Sequence, residues 1–222
     1  MKKSYINTRP YFSKIKQSLR SKILSDIIKN ILFKNDSMIN NGINILEFGP
    51  GYGDLASSLI SNLNVNKYYF IDHSQDNLDY IKMNLNFNSA HFFCHDANKS
   101  ISNVIDESFD LVISSHVIEH LNQPKFHISD IKNLLNEKRY GLISTPNLDS
   151  INAIQKGKSW RGFKDETHIS LISYDKLKSY ILENDMHEIL SGTSPNSLME
   201  VIYQKKLNAI FFSKFKLGDS SN

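Results

Sequence analysis

The chain has 222 residues, 40% of them hydrophobic and 22% charged, enough for one large α/β domain whose core needs no staples. Its single cysteine, Cys94, rules out an internal disulfide and suits a reducing compartment. The formal net charge is only +3, no apolar run approaches the ~20 residues of a membrane span, and Met1-Lys2-Lys3-Ser4-Tyr5 leads into no apolar stretch of the kind a secretory signal needs. A cytoplasmic protein without a membrane partner is expected.

The first 25 residues carry Lys2, Lys3, Arg9, Lys14, Lys16, Arg20 and Lys22 and no acid. Such a run is a solvated helix face or a basic lid that attracts an anionic substrate. Ile15, Leu19, Ile23, Ile27 and Ile31 stand at steps of four, with Leu24, Ile28 and Leu32 beside them, which predicts an amphipathic helix from Tyr11 to Phe33. Asn35-Asp36-Ser37 breaks it. Strands and helices then alternate. Ile43 to Phe48 is a strand ending in a glycine-rich turn, and Leu55 to Leu63 is the helix that follows. Tyr68 to Ile71 is a second strand, and Asp76 to Leu85 a helix that Ser74 caps. His91 to Cys94 and Phe109 to Ser114 are the third and fourth strands. Pro124 opens a helix that runs to Leu135, and Tyr140 to Ser144 is a fifth strand, stopped by Thr145-Pro146-Asn147. After a helix from Tyr174 to Glu183, His187 to Ser191 and Leu198 to Gln204 are joined closely across Gly192 to Ser197 and pair antiparallel.

This alternation predicts a mostly parallel sheet of seven strands with helices on both faces. Residues 1–40 form an N-terminal helical cap, residues 41–207 the main domain with a lid insert at 148–170, and residues 208–222 a tail. Ligands bind such sheets at the carboxyl ends of the strands, and every polar motif falls at one of those ends. The first is Glu47-Phe48-Gly49-Pro50-Gly51-Tyr52-Gly53. Gly49 and Gly51 remove side chains where backbone must approach a ligand, and a helix N-terminus follows. The spacing departs from the dinucleotide fingerprint, whose third glycine would fall at Asp54. Glu47 and Asp54 flank the turn, and two acids suit a cationic ligand. Asp72, after the second strand, is placed to accept bonds from ribose hydroxyls. Asp96-Ala97 follows the third strand. Ser115-His116-Val117-Ile118-Glu119-His120 follows the fourth, with His116, Glu119 and His120 on one face if that turn is helical.

The order of these motifs resembles the class I S-adenosylmethionine (SAM)-dependent methyltransferases. It is most similar to the group that includes ubiquinone-biosynthesis O-methyltransferases and many bacterial small-molecule and sugar methyltransferases. The matching residues are Glu47 to Gly53, Ile71-Asp72-His73-Ser74, Asp96-Ala97, Phe109-Asp110-Leu111-Val112 with His116 to Leu121, Thr145-Pro146-Asn147, and Trp160-Arg161-Gly162-Phe163 leading to Thr167-His168-Ile169. Together they span about Gly42 to Met186. The resemblance implies a Rossmann-like sheet with a C-terminal antiparallel strand, SAM as cofactor and S-adenosyl-L-homocysteine as product. It implies that Glu47, Gly49, Gly51 and Gly53 hold the methionine part of SAM. Asp72 would bind the ribose, His73, Asp96 and Ala97 would border the adenine, and Ser115 and His116 would line the methyl-donor channel. Relatives often carry an aliphatic residue at His73, where an imidazole can still stack on adenine. Some relatives bind a divalent metal through Glu-x-x-Glu-His and a distant His. Here the leading Glu is replaced by His116. His116, Glu119, His120 and His168 could in principle hold zinc, but a hydrogen-bonded wall with no metal is the expectation.

Methyl transfer from SAM is an in-line displacement at an activated carbon, so the protein's work is alignment and removal of the acceptor's proton. His168 is the first candidate base, then His116, then Glu119. The segment from Ser150 to Thr167, with Trp160, Phe163, Lys156, Lys158, Arg161 and Lys164, would roof the acceptor pocket. Together with the basic N-terminus it points to a small, anionic metabolite or sugar-type acceptor methylated on oxygen or nitrogen. A nucleic-acid methyltransferase is the alternative, supported by the basic arm. It is opposed by the lack of an Asn/Asp-Pro-Pro-aromatic motif after the fourth strand and of a Pro-Cys pair. The glycine turn with Asp72 argues against a non-catalytic binding module, and Asp54 with the late antiparallel strand against a nicotinamide oxidoreductase. A homodimer is compatible with the sequence.

Overall fold

A computed structural model describes residues 11–33, 41–193 and 198–205. Lys2, Lys3, Arg9, the Asn35-Asp36-Ser37 break and the tail from residue 208 lie outside the described residues, as do the side chains of residues 11–17. The elements are α1 (Tyr11–Ile27), continued by a π-helical turn (Ile28–Leu32), then β1 (Ile43–Phe48), α2 (Asp54–Asn62), β2 (Val65–Asp72), α3 (Gln75–Asn84), β3 (Ala90–Cys94) and β4 (Phe109–Ser115). There follow a 3-10 turn (Ile118–His120), α4 (Pro124–Leu134), β5 (Leu135–Pro146), α5 (Ile151–Lys156), a 3-10 turn (Gly157–Ser159), α6 (Arg161–Lys164), α7 (Tyr174–Glu183), β6 (Met186–Thr193) and β7 (Leu198–Lys205).

The seven strands form one sheet in the order β3-β2-β1-β4-β5-β7-β6. β1 to β5 run parallel, and β7 pairs antiparallel with both β5 and β6. The predicted mixed sheet and its late antiparallel pair are therefore present. A parallel strand is covered on both faces and reads as a near-continuous apolar run, and the pleat sends alternate residues to opposite faces. Ile45, Leu111, Ile113 and Leu142 enter one core with Leu24 and Ile28 of the α1 region and Leu55 and Leu59 of α2. Leu46, Phe48, Val112 and Ile143 enter the other with Ile128 and Ile131 of α4 and Leu177 and Ile181 of α7.

The caps are local. Ser74, Ser150 and Ser173 each accept an N–H from the first turn of α3, α5 and α7, and Pro124 opens α4. Two features differ from the sequence pattern. Along α1 and the π-helical turn that continues it the buried seam is Leu24, Ile28 and Leu32, while Leu19 and Ile23 are more than half exposed. The reason is Ser21 and Ser25, both buried. They are small enough to let α1 approach α2, where Ser25 Oγ donates to the Ser58 carbonyl at 3.1 Å and accepts from Asn62 Nδ2 at 3.0 Å. β5 starts five residues before Tyr140, through the polar run Asn136-Glu137-Lys138-Arg139. Lys138 takes a left-handed φ of +60° there, and Arg139 Nε meets Asp110 Oδ1 at 3.0 Å. Among the described residues no helix is long and apolar enough to cross a membrane.

Candidate active site

The chain order reverses between β1 and β4, and sheets of this kind leave a crevice at that point. β1 and β4 end level, with Phe48 opposite Ser114, so the turn after β1 faces the turn after β4. Between them lies a cavity of about 890 Å³. Glu47, Gly49, Gly51, Asp72, His73, Asp96, Ala97, Ser115 and His116 all line it. Gly53 stands behind them as the N-cap of α2.

Gly49 and Gly51 adopt φ of +61° and +57°, which side chains disfavour by about 1–2 kcal/mol. A Cβ on Gly49 would lie 2.6 Å from Val117 Cγ2, whereas one on Gly51 would meet nothing within 4 Å. Gly49 is thus required by packing and Gly51 by its bend at the cavity wall.

Charge is distributed unevenly around this space. Among the described residues five carboxylates line it, those of Glu47, Asp54, Asp72, Asp96 and Asp165, against one guanidinium, Arg20. Glu47 is buried and its Oε2 accepts the Tyr68 hydroxyl at 2.6 Å. Burial pushes its carboxyl up, the Tyr68 bond pulls it back, and Asp54 adds to the rise, leaving it at about 7. Asp72, also buried, accepts the Ser74 N–H at 2.8 Å and contacts Asn77 Nδ2 at 3.3 Å. The exposed Asp96 accepts the backbone and side-chain N–H of Asn98 at 2.9 and 3.0 Å, and these bonds hold its carboxyl below the usual range. His73 sits at the rim with its side chain 83% exposed.

The far wall is built by longer-range contacts. His116 takes φ +57°, a conformation worth roughly 1–3 kcal/mol of strain in a non-glycine residue. Two bonds hold it there. Its N–H donates to the Ser144 carbonyl at 2.8 Å, and its Nδ1 lies 3.0 Å from Glu119 Oε1. Thr145 Oγ1 donates to the other oxygen, Oε2, at 2.9 Å. Burial pushes the Glu119 carboxyl up, but the His116 bond and charge and the Thr145 bond outweigh it and keep it below its usual range. An ionised Glu119 accepts the proton that His116 carries on Nδ1, and in the neutral ring Nε2 is then the acceptor. That Nε2 lies 3.5 Å from Arg20 Nη1. Arg20 also donates to Glu200 Oε1 of β7 through Nε at 3.0 Å and Nη2 at 2.7 Å, and to Ser144 Oγ at 2.6 Å.

His120 and His168 differ from His116 in their bonding, each tied to the insert. His120 lines the cavity and donates Nδ1–H to the Thr167 carbonyl at 3.0 Å. His168 donates Nδ1–H to the Gly162 carbonyl at 2.8 Å, has Asp165 Oδ2 at 3.6 Å from Nε2, and is 11% exposed, outside the cavity lining. Their rings meet edge to face at 5.0 Å. Ligand atoms of Glu119, His120 and His168 lie within 4.8 Å of one another, so these three, without His116, could hold a metal ion. The turn over Ile118–His120 therefore does not put His116, Glu119 and His120 to one purpose. Glu119 turns inward to His116, and His120 turns to the insert.

The partners in this arrangement are not all visible in the sequence. Tyr68 reads only as one more large residue in an apolar strand, and Thr145 belongs to the matching Thr145-Pro146-Asn147 without any sign that its hydroxyl meets Glu119. Glu200 gives a faint signal, being the single acid within Leu198-Met199-Glu200-Val201-Ile202-Tyr203.

No curated protein sequence matches this chain. Solved structures do. Magnesium protoporphyrin IX methyltransferase (ChlM) from Synechocystis PCC 6803, with bound S-adenosylhomocysteine, superposes with a TM-score of 0.67 at 16% identity, covering 90% of each chain. The plantazolicin methyltransferase BpumL gives 0.65 at 18% identity, covering 86% of this chain and 84% of that one. The N-methyltransferase NodS from Bradyrhizobium japonicum WM9 gives 0.61 at 13% identity, covering 87% and 97%. These likenesses establish the shared fold. A family model described as a methyltransferase domain matches residues 17–185, well over half of the sequence, and the chain belongs to that methyltransferase family.

Proposed function

We propose that this protein transfers a methyl group from SAM to an oxygen or nitrogen of a small acceptor, and that His116, oriented by Glu119, takes the acceptor's proton. The observation that carries this reading is the meeting of an acid-rich glycine cradle with a carboxylate-held imidazole across one cavity. SAM has a sulfonium and an ammonium. Five lining carboxylates against a single guanidinium that is already bonded to Glu200 suit such a cation. Once bound, SAM supplies an electrophilic methyl carbon. Glu47 and the glycines hold its methionine end and Asp72 its ribose. His73, Asp96 and Ala97 border its adenine, and Ser115 lines the channel beside the methyl.

The chain's own chemistry is then proton transfer and alignment. His116 Nε2 accepts the proton of the acceptor O–H or N–H, and the Glu119 carboxylate 3.0 Å behind Nδ1 steadies the imidazolium that forms. We assign the base to His116 rather than His168 because His168 stands outside the cavity lining and binds the Gly162 carbonyl. His168 then holds the 148–170 insert as a lid. The described part of the N-terminal region acts as a cap through Arg20 and Leu24, which line the cavity. Arg20 is the guanidinium that an anionic acceptor would meet. The exposed Cys94 fits the reducing cytoplasm as the place of action.

The test is calorimetry with SAM and S-adenosylhomocysteine, followed by a screen for S-adenosylhomocysteine release against pooled small metabolites. Binding of both nucleosides and turnover with at least one pool are expected. A purified protein that takes up neither refutes the reading.

A further inference from the structure

Tyr68 is fully buried in β2, stacked on Phe70 at 4.5 Å between ring centroids, and yet carries a hydroxyl. A buried hydroxyl costs free energy unless it is bonded, and this one has a single placed partner, Glu47 Oε2, at 2.6 Å. Phenylalanine would fill the same space among Ile45, Phe70 and Leu111 without that requirement. The hydroxyl therefore serves Glu47 rather than the core.

We propose that Tyr68 is a positioning residue for the cofactor's amino-acid end: by donating to Oε2 it fixes the Glu47 carboxylate so that Oε1 receives the ammonium of SAM. The inference rests on the SAM reading above. Glu47 projects from the penultimate residue of β1 into the cavity wall. An unanchored carboxylate there turns freely about its last side-chain bond, and a short bond to one oxygen fixes its plane and leaves the other oxygen for the ligand. The same bond opposes the burial that pushes the Glu47 carboxyl up to about 7, so it also favours the ionised form that a cation needs. The charged group that acts on Glu47 is Asp54 of α2, with Tyr68 of β2 bonded to Glu47; Arg20 and His116 line the same cavity. Asp54 works against ionisation of Glu47, so the Tyr68 bond is the favourable contact that remains.

The experiment compares wild type with Tyr68→Phe by calorimetry, using S-adenosylhomocysteine and 5′-methylthioadenosine between pH 6 and 8. Methylthioadenosine keeps the nucleoside and lacks the amino-acid end. Tyr68→Phe is expected to weaken S-adenosylhomocysteine binding about 3- to 10-fold, the scale of one hydrogen bond, and to leave methylthioadenosine binding unchanged. The wild-type affinity for S-adenosylhomocysteine rises as Glu47 ionises through about pH 7. In the variant that rise moves to higher pH, so the gap between the two proteins narrows as pH increases. In a Glu47→Gln background, adding Tyr68→Phe changes nothing further. Equal weakening of both ligands, or an undiminished Tyr68→Phe effect beside Glu47→Gln, makes Tyr68 a packing residue and overturns the proposal. Unchanged S-adenosylhomocysteine binding in Tyr68→Phe overturns it as well. A wild-type protein that binds neither ligand overturns the SAM reading itself, and the proposal with it.

Discussion

The two walls of the cavity are built by different means. The wall over β1, β2 and β3 is assembled from short strand-end motifs. A bend follows Glu47, Asp72 bonds to the next turn at Ser74 and Asn77, and Asp96 bonds to Asn98 two residues on. The wall over β4 and β5 is assembled from parts far apart in sequence. Arg20 reaches Glu200 across 180 residues and Ser144 across 124, and Thr145 reaches Glu119 across 26. A wall of local bonds persists in any chain that keeps the motif. A wall of distant bonds can be rebuilt by changing either end.

The sharpest test of this contrast is to remove the imidazole of the distant wall. His116→Ala is expected to lower kcat about 10²- to 10⁴-fold, the usual contribution of a general base, with a far smaller change in SAM affinity. Steady-state kinetics with calorimetry on the same preparation checks it, and equal losses in both quantities erase the division of labour. Gly51→Ala makes the reverse lesion. A methyl in the bend at φ +57° is expected to weaken SAM about tenfold through the 1–2 kcal/mol cost of that conformation, with little effect on kcat at saturation.

A third test lies beneath both walls. His127 of α4 is fully buried, bonds Ser114 Oγ of β4 through Nε2 at 2.9 Å, and leaves Nδ1 without a placed partner. Burial pushes its imidazole down to about 4, with Asp130 pulling the other way. Its folded value lies below the unfolded one, so its stabilising contribution is complete above about pH 6.5 and is lost as pH falls toward 4, by roughly 3 kcal/mol at most. Glu47 is raised and works in the opposite sense. It stabilises below about pH 4.5 and loses that contribution as pH rises through 7. The measurement is therefore the difference in denaturant stability between wild type and His127→Gln, which shifts toward the variant as pH falls from 7 to 5. A constant difference refutes the assignment. The smallest effect is expected for Glu200→Gln. Its pair with Arg20 is about 30% exposed on each side, so a loss of only about 0.5–1 kcal/mol is expected, read as a fall in Tm of a few degrees.

How much of this is legible in the chain follows the same division. Ile43–Phe48 reads as a strand at its true bounds because both its neighbours are parallel and both faces are apolar. Tyr174–Glu183 is a helix at its expected bounds, and the structure shows Ser173 capping it. The longer β5 is hidden by Asn136-Glu137-Lys138-Arg139, which looks like a loop until Asp110 is seen to meet Arg139. In α1 a step of four is carried by two adjacent stripes, and only the small Ser21 and Ser25 decide which stripe packs. The wall over β1, β2 and β3 is visible because most of its residues are neighbours in sequence; the bond from Tyr68 to Glu47, 21 residues apart, is its hidden part. The pairing of His116 with Glu119 is half visible as an i, i+3 spacing, but the left-handed backbone at His116 and the hydroxyl of Thr145 depend on the whole sheet. Small helices α5 and α6 escape the pattern because they are too short for periodicity to speak.

Gly49 has one more consequence. With only 2.6 Å between the position a methyl on Gly49 would take and Val117 Cγ2, the turn after β1 packs directly against the turn after β4 in the wall of the cavity that both residues line. Val117 adjoins His116 in the chain, so bulk added at this contact displaces the residue proposed to take the proton. Laboratory attempts to widen the range of accepted molecules should leave Val117 alone and work from the insert or from β7, away from the proposed cofactor cradle.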